Sequence, residues 1–378
     1  MFDTKEILKE LIRIPSYVDE NHNEQGVIAY IENFIKANTK YKYLIQEVEE
    51  ERKNILVYNK PNPKIALFGH MDTVLPKVET EKPFEPREDG DKLFGLGSVD
   101  MKSGLAIMLK LMSEIQSDEL AFVFSVGEEY DFKGALKLKE ITDFKPEFIV
   151  NVEPTDGKIL NGCRGITEFS FKVHGKSAHA GRKEFGVNAI EKGVEMIDKF
   201  QSGCSELDVV GEGRTTVNLA YLKGGVLKSN SDGSSEISGL GNIVPDFAEV
   251  ICEIRIANKE IDQKYVEREI NKIASESGVV VSEIKFKFYL GSMLTNKIYL
   301  QELEEAIKNT GQEVIYADIS LAGYYEVQML QESWGSRSVV FGASPINLSH
   351  SANEYLSLSS LLAVESVIKN LVIKITNA

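Results

Sequence analysis

The hydrophobic period of this chain changes twice, and the second change restores the first pattern. Up to about residue 163, short apolar runs bounded by turn residues (Asn54 to Tyr58, Lys64 to Gly69, Glu119 to Val126, Phe148 to Val152) alternate with stretches of helical spacing. Apolar runs of that length fit strands buried on both faces. Their alternation with helices predicts an α/β fold: a mixed, mainly parallel sheet with helices on both faces. From Gly165 to about Leu290 the order becomes strand (Thr167 to His174), helix (Val187 to Gln201), two strands (Thr215 to Leu222, Ala248 to Ile256), helix (Gln263 to Ser277) and strand (Ser282 to Tyr289). That is the ferredoxin-like β-α-β-β-α-β pattern, complete as a small domain. α/β character then resumes with a helix over Tyr299 to Thr310, an apolar run from Arg337 to Gly342 and a last helix from Ser357 to about Lys374. A pattern that stops and restarts predicts one α/β domain, 1–163 and 291–378, interrupted by an inserted domain, 164–290.

Local signals agree with this outline. Ile7, Leu8, Leu11 and Ile12 recur at helical spacing behind Asp3, with Glu6 three residues on, and Pro15 stops the helix. A second helix is expected over Glu24 to Ala37, and a third over Lys102 to Ile115, behind a Gly-rich turn. The stretch from Lys223 to Asn242 is rich in Gly and Ser, so 224–241 is expected to be a long flexible loop inside the insert.

Composition narrows the partners. With 43 Lys+Arg against 58 Asp+Glu, the formal charge of −15 repels phosphate backbones and anionic lipid, so neither nucleic acid nor a membrane surface is expected as the main partner. Cys163, Cys204 and Cys252 form no CxxC pair and leave an odd thiol under any pairing, which fits a reducing, cytoplasmic setting. The charged N-terminus offers no apolar signal core, and no run approaches the roughly 18 apolar residues of a membrane span.

Five short segments carry candidate chemistry. In GHMDTV, His70 and Asp72 lie two apart, on one side of an extended chain, so the carboxylate can fix the imidazole tautomer; alternatively they are a surface His beside an Asp. In GLGSVDMKSG, Asp100 sits in a Gly-rich turn entering a helix, as a ligand or as an N-cap; the glycines lack phosphate-loop spacing. Glu128 and Glu129 are adjacent after the run AFVFSV and repel unless a cation or a shared proton relieves them, or unless the turn is solvated. Glu153 follows FIVNV, and His350 lies in NLSHSANEY. Open α/β sheets bind ligands at strand ends of this kind. Imidazole and carboxylate donors suit zinc, and a carboxylate shared by two ions suits a two-metal hydrolase.

In order, GHMDTV, GLGSVDMKSG, GEE, the EP of NVEP, KSAHAG and SHSANEY resemble the motifs of the zinc-dependent exopeptidase and deacylase family. That family holds acetylornithine deacetylase, succinyl-diaminopimelate desuccinylase, aminoacylase and the bacterial glutamate carboxypeptidase. The resemblance implies two Zn²⁺, with Co²⁺ or Mn²⁺ as substitutes: His70 and Glu153 on one ion, Glu129 and His350 on the other, Asp100 bridging. It further implies that Asp72 orients His70 and that Glu128 is the general base for a metal-activated water. His179 of KSAHAG would stabilise the oxyanion, in dimeric relatives from the other subunit, which makes the insert a lid and dimerisation domain and the protein a homodimer. Arg255 would hold a substrate carboxylate, with Asn242 and Asn218 as weaker candidates nearby. The implied function is an amidohydrolase, with deacylation of a small N-acyl amino acid favoured and carboxypeptidase or dipeptidase action on a short peptide as the alternative. LAGYYEVQ, residues 321–328, and the turn 342–346 look more like acetylornithine deacetylase than like the carboxypeptidases with a Gly-Gly-Thr-Asp element. A non-catalytic binding protein on this fold would have lost a ligand or the base, and all seven positions are present.

Overall fold

Six strands build the first sheet, in the spatial order Tyr43–Glu49, Arg52–Val57, Leu120–Ser125, Ile65–His70, Phe148–Asn151, Arg337–Val340. The protein is described here by a computed structural model covering residues 2–209, 213–230, 232 and 234–377. The last four strands of the sheet run parallel, and the first two form an antiparallel edge. The fold is thus the expected mixed α/β type with a mainly parallel sheet. Tyr43–Glu49 was missed because an edge strand is half exposed: its apolar run is only Tyr43 to Ile45, followed by Val48 between Glu47 and Glu49.

Alternate residues of the central strands are buried on opposite sides. Leu67, Phe122 and Val150 belong to the large core under the helices Thr4–Ile12, Gln25–Asn38, Lys102–Glu114 and Leu358–Thr376. Phe68, Val123 and Ile149, pointing the other way, are equally inaccessible. Beyond this second face Phe144 meets Trp334 edge to face at 5.1 Å. Asp3 caps the first helix by accepting Lys5 N–H at 2.9 Å, and Ser357 caps the last.

Register sets up the chemistry. His70 stands opposite Ser125, and Phe68 opposite Asn151, so three parallel strands end together. The segments leaving those ends carry Asp72, Glu128 with Glu129, and Glu153. The helix Lys102–Glu114 runs so close to the chain entering Glu153 that a Cβ on Gly104 would lie 2.4 Å from the Val152 carbonyl oxygen. Only glycine permits that approach.

The chain divides into two compact units: Met1–Gly162 with Leu294–Asp318 and Tyr325–Ala378, and Cys163–Met293 with Ile319–Tyr324. The second unit holds an antiparallel sheet in the order Ser235–Ser238, Thr216–Ser229, Phe247–Ile256, Gly165–His174, Val280–Leu290. Without its first strand this is the ferredoxin-like order. The helices Ala189–Glu206 and Gln263–Glu276 pack Phe200, Ile197, Ile270 and Ile273 on Phe169, Phe171, Val250 and Ile254.

One expectation is corrected here. The Gly/Ser stretch is not a loop over its whole length: Thr216–Ser229 continues through Gly224 and Gly225 and pairs with Ser235–Ser238, Val226 opposite Ser238. Residues 231 and 233 lie outside the described residues. Gly224 and Gly225 serve pairing rather than flexibility. A Cβ on Gly224 would lie 2.4 Å from Ile190, and one on Gly225 2.5 Å from the Ser238 carbonyl oxygen. No helix among the described residues is long and apolar enough to cross a membrane.

Candidate metal centre

The strand Ile65–His70 delivers His70, 1% exposed, into a cluster of carboxylates. Its Nε2 lies 3.2 Å from Asp100 Oδ1 and 3.2 Å from Glu153 Oε1. Across Asp100, His350 Nε2 lies 3.3 Å from Oδ2 and 2.7 Å from Glu129 Oε1. The two imidazoles thus address different oxygens of one carboxylate. Donor atoms of His70, Asp100 and Glu153 fall within 4.8 Å of one another, as do those of Asp100, Glu129 and His350. A third group of the same compactness joins His70, Glu128 and Glu129.

Asp72 does two jobs. Its carbonyl oxygen lies 3.1 Å from His70 Nδ1, whereas its carboxylate is 3.4 Å from that nitrogen. The backbone carbonyl is therefore the closer orienting group, and the expected carboxylate contact is the longer one. The carboxylate itself accepts the N–H groups of Glu128 at 3.1 Å and Glu129 at 2.9 Å. One side chain therefore registers the His70 strand against the Glu128–Glu129 loop.

Burial and mutual repulsion shift these groups strongly. Burial, with the Asp100 charge added, pushes Glu153 up to about 8. Burial first, and then Glu153, Glu129 and Glu326, drive Glu128 well above the ordinary carboxylate range. Glu129 is raised by burial and Asp100 against the pull of His350. Asp100 alone is held below its ordinary value: burial opposes this, but hydrogen bonds from both imidazoles win. His350 rises to about 10 through its bonds to Asp100 and Glu129, and His70 rises despite burial because Glu153, Asp100 and Asp72 surround it. Among the described residues the two imidazoles are the groups of this cluster that can carry positive charge, and the surrounding carboxylates raise the proton affinity of both. A divalent ion in either triad would supply the positive charge that such a cluster of buried carboxylates calls for.

Several functional neighbours were not legible as such. Glu354, 4% exposed, accepts Val99 N–H at 2.8 Å, Asp100 N–H at 3.1 Å and Gly97 N–H at 3.0 Å, and so holds the turn that presents Asp100. Glu326, within LAGYYEVQ, is 1% exposed and bonds Ser125 Oγ. Burial pushes it up to about 8. Lys102 is buried with Nζ 2.8 Å from the Ile14 carbonyl, and burial lowers it to about 7. Glu354 lies inside SHSANEY, Lys102 inside GLGSVDMKSG and Glu326 inside LAGYYEVQ, but sequence alone does not separate such a charged residue from a surface charge.

The remaining candidates belong to the second unit. His179 caps the short helix Ala180–Phe185, accepting Gly181 N–H on Nδ1 at 3.0 Å, and its strand-like bridge to Ile243 brings it beside Asn242, whose carbonyl accepts Ala180 N–H at 2.9 Å. Arg255 is near the far end of the strand Phe247–Ile256, with Nε 3.0 Å from Glu253. Eight residues of extended chain separate it from Phe247, about 27 Å. Asn218 stands opposite Glu253. His179 and Asn242 therefore form one group, and Arg255 with Asn218 another. His22 is exposed and bonds Asp19, and His174 bonds Ser282 Oγ at 2.7 Å.

The model of peptidase family M20/M25/M40 matches residues 66–374. Acetylornithine deacetylase of Buchnera aphidicola subsp. Acyrthosiphon pisum (strain Tuc7) is 31% identical over 197 residues, covering 49% of this chain and 52% of that relative. The match thus spans about half the relative's length. A tripeptidase crystal structure from Staphylococcus aureus subsp. aureus Mu50 superposes with a TM-score of 0.71 at 22% identity, covering 99% of this chain and 98% of that one. A Bacillus subtilis structure described as a dinuclear metal binding peptidase from the M20 family gives a TM-score of 0.69 at 17% identity, over 99% and 98%. At these identities the structures share the fold.

Proposed function

The chain belongs to peptidase family M20/M25/M40, a hydrolase family acting on amide or peptide bonds, and from that premise we propose that it is a dizinc deacylase of small N-acyl amino acids. The observation that carries the two-metal part is the sharing of Asp100 between the His70–Glu153 side and the His350–Glu129 side. The donors fit the metal. Each triad offers one imidazole nitrogen and two carboxylate oxygens, a set that suits zinc, with Co²⁺ or Mn²⁺ as substitutes. Two divalent ions would also neutralise the carboxylates that burial now forces toward protonation.

In this reading His70 and Glu153 would hold one ion and Glu129 and His350 the other, with the Asp100 carboxylate common to both triads. Bound there, the ions would polarise the scissile carbonyl and lower the pKa of water. Glu128 is then the general base, left outside both of those triads. Its backbone N–H on Asp72 fixes where its carboxylate starts, and its raised proton affinity suits a group that takes a proton from water and returns it to the leaving amine. Asp72 keeps the His70 ring and the Glu128 backbone in one frame. Because about 27 Å of strand separates them within one chain, His179 with Asn242 from one subunit and Arg255 from the other would be the substrate-contacting groups, with the second unit pairing the protein as a homodimer. Burial raises Cys204 and Cys252 to about 12, which keeps them as inert thiols and fits a cytoplasmic protein.

The deacylase reading is supported by the acetylornithine deacetylase relative, and peptide hydrolysis by the likeness to the tripeptidase. Metal-dependent turnover of N-acetyl-ornithine, N-succinyl-diaminopimelate and a dipeptide panel separates them. Release from an acyl amino acid alone supports the proposal, and release from dipeptides alone transfers the protein to the peptidases. No metal-dependent release from any substrate defeats both.

A further inference from the structure

The buried Arg52 has no part in the metal site, yet it is tied to the loop that carries Glu128 and Glu129. The Arg52 side chain is 5% exposed and that of its partner Glu24 0%. Glu24 grips it in a fork, Nε to Oε2 at 2.9 Å and Nη2 to Oε1 at 2.9 Å. The other edge of the guanidinium reaches the loop, with Nη1 2.9 Å from Asp131 Oδ2. Asp131 Oδ1 also accepts Lys133 N–H at 3.2 Å. Between them Gly127 has φ +78°, and a Cβ there would lie 2.6 Å from Arg52 Nη2 and 2.4 Å from Asp131 Oδ1, so the guanidinium packs directly on the loop backbone. The Gly127 carbonyl accepts the N–H groups of Asp131 at 3.0 Å and Phe132 at 2.6 Å, which closes the loop on itself.

A buried ion pair of this kind is poor evidence for stability, because apolar side chains of similar volume do as well or better. What it supplies is direction. Asp72 holds the loop from the His70 side through the Glu128 and Glu129 N–H groups, and Arg52 holds it from the opposite end through Asp131. We infer that Arg52 and Asp131 form a clamp that positions the Glu128–Glu129 loop for catalysis. Arg52 and Asp131 are positioning residues, acting through the loop backbone. The inference rests on Glu128 and Glu129 acting as proposed above.

Asp131→Asn tests the clamp with little change of shape and leaves the Arg52–Glu24 fork intact. Arg52→Lys keeps the charge beside Glu24 but loses the fork. In the full-length zinc-loaded protein, Asp131→Asn is expected to lower kcat about tenfold to hundredfold with KM within about threefold, the scale of a small misplacement of catalytic groups. Hydrogen exchange of the 128–132 amides, with or without metal, is expected to quicken by about tenfold, the cost of one charge-assisted bond, while the central strands keep their protection. The double variant is expected to be no worse than the poorer single one. Exchange confined to its wild-type rate, kcat unchanged, or independent effects that multiply in the double variant would each overturn the clamp. If the wild type hydrolyses no amide, the functional reading fails, whereas the exchange measurement still judges the clamp.

Discussion

Glu354 holds Asp100 by the backbone: its Oε1 accepts both the Asp100 and the Val99 N–H, and its Oε2 the Gly97 N–H, although 257 residues separate Gly97 from Glu354. It follows His350 by four residues, so one short segment both brings an imidazole to Asp100 and fixes the turn that presents it. Glu354→Gln keeps the shape but aims an amide N–H₂ at one or more backbone donors. The expected cost is about 1–3 kcal/mol, read as a lower urea midpoint, together with faster metal loss to a chelator. An unchanged midpoint and unchanged metal retention would deny the turn this dependence.

Glu128 and Glu129 are neighbours with separate expected tasks. Glu128→Gln should lower kcat by about 10²–10⁴-fold with two equivalents of zinc retained, since general acid–base catalysis contributes on that scale. Glu129→Gln should lose metal as well as activity. Zinc loss in Glu128→Gln, measured by metal analysis after dialysis, would favour the compact His70, Glu128 and Glu129 grouping and remove Glu128 from the base role.

The metal-free protein should weaken as pH rises. Glu326 moves from an ordinary 4.5 to about 8, chiefly by burial, and Glu354 to about 7. The folded chain therefore keeps protons that the unfolded chain has released, so this contribution is fully present below pH 4.5 and lost as pH climbs through about 7 to 8. Urea midpoints of chelated protein should fall across that interval, and Glu326→Gln, which cannot ionise, should flatten the fall. A midpoint that rises instead across the window would contradict the sign.

If His179 serves the site of a partner subunit, two inactive variants should rescue each other. Mixing His179→Ala with His350→Ala under subunit exchange should restore about a quarter of the wild-type activity, because half the dimers are mixed and each mixed dimer has one complete site. Exchange without recovery would assign His179 to its own chain.

The parallel core and the strand-end residues were legible because both are local properties. A fully apolar run announces a doubly buried strand, and His70, Glu128, Glu129 and Glu153 each end or closely follow one. Glu326, Glu354 and Arg52 were not, since among 58 acidic and 43 basic residues nothing in the sequence marks those that lose water on folding. What distinguishes Glu354 is which N–H groups meet it, a long-range fact. The Gly/Ser stretch misled for a related reason: glycine permits flexibility, but it also permits the close strand contact found at Gly224 and Gly225. Tyr43–Glu49 was hidden because the apolar run of this half-exposed edge is only three residues long.

The outer strand Arg337–Val340 pairs with Phe148–Asn151 only after the intervening chain has been made. A ribosome therefore releases Glu129 221 residues before His350, an interval on the order of tens of seconds. For most of it the nascent sheet has an open edge at Phe148–Asn151, and until its end no His350 stands beside Asp100. The growing chain cannot assemble the shared-carboxylate arrangement, and its unpaired edge can template edge-to-edge association until Arg337–Val340 emerges. Synthesis thus sets the order: the candidate metal centre is completed only after Arg337–Val340 and His350 have been made.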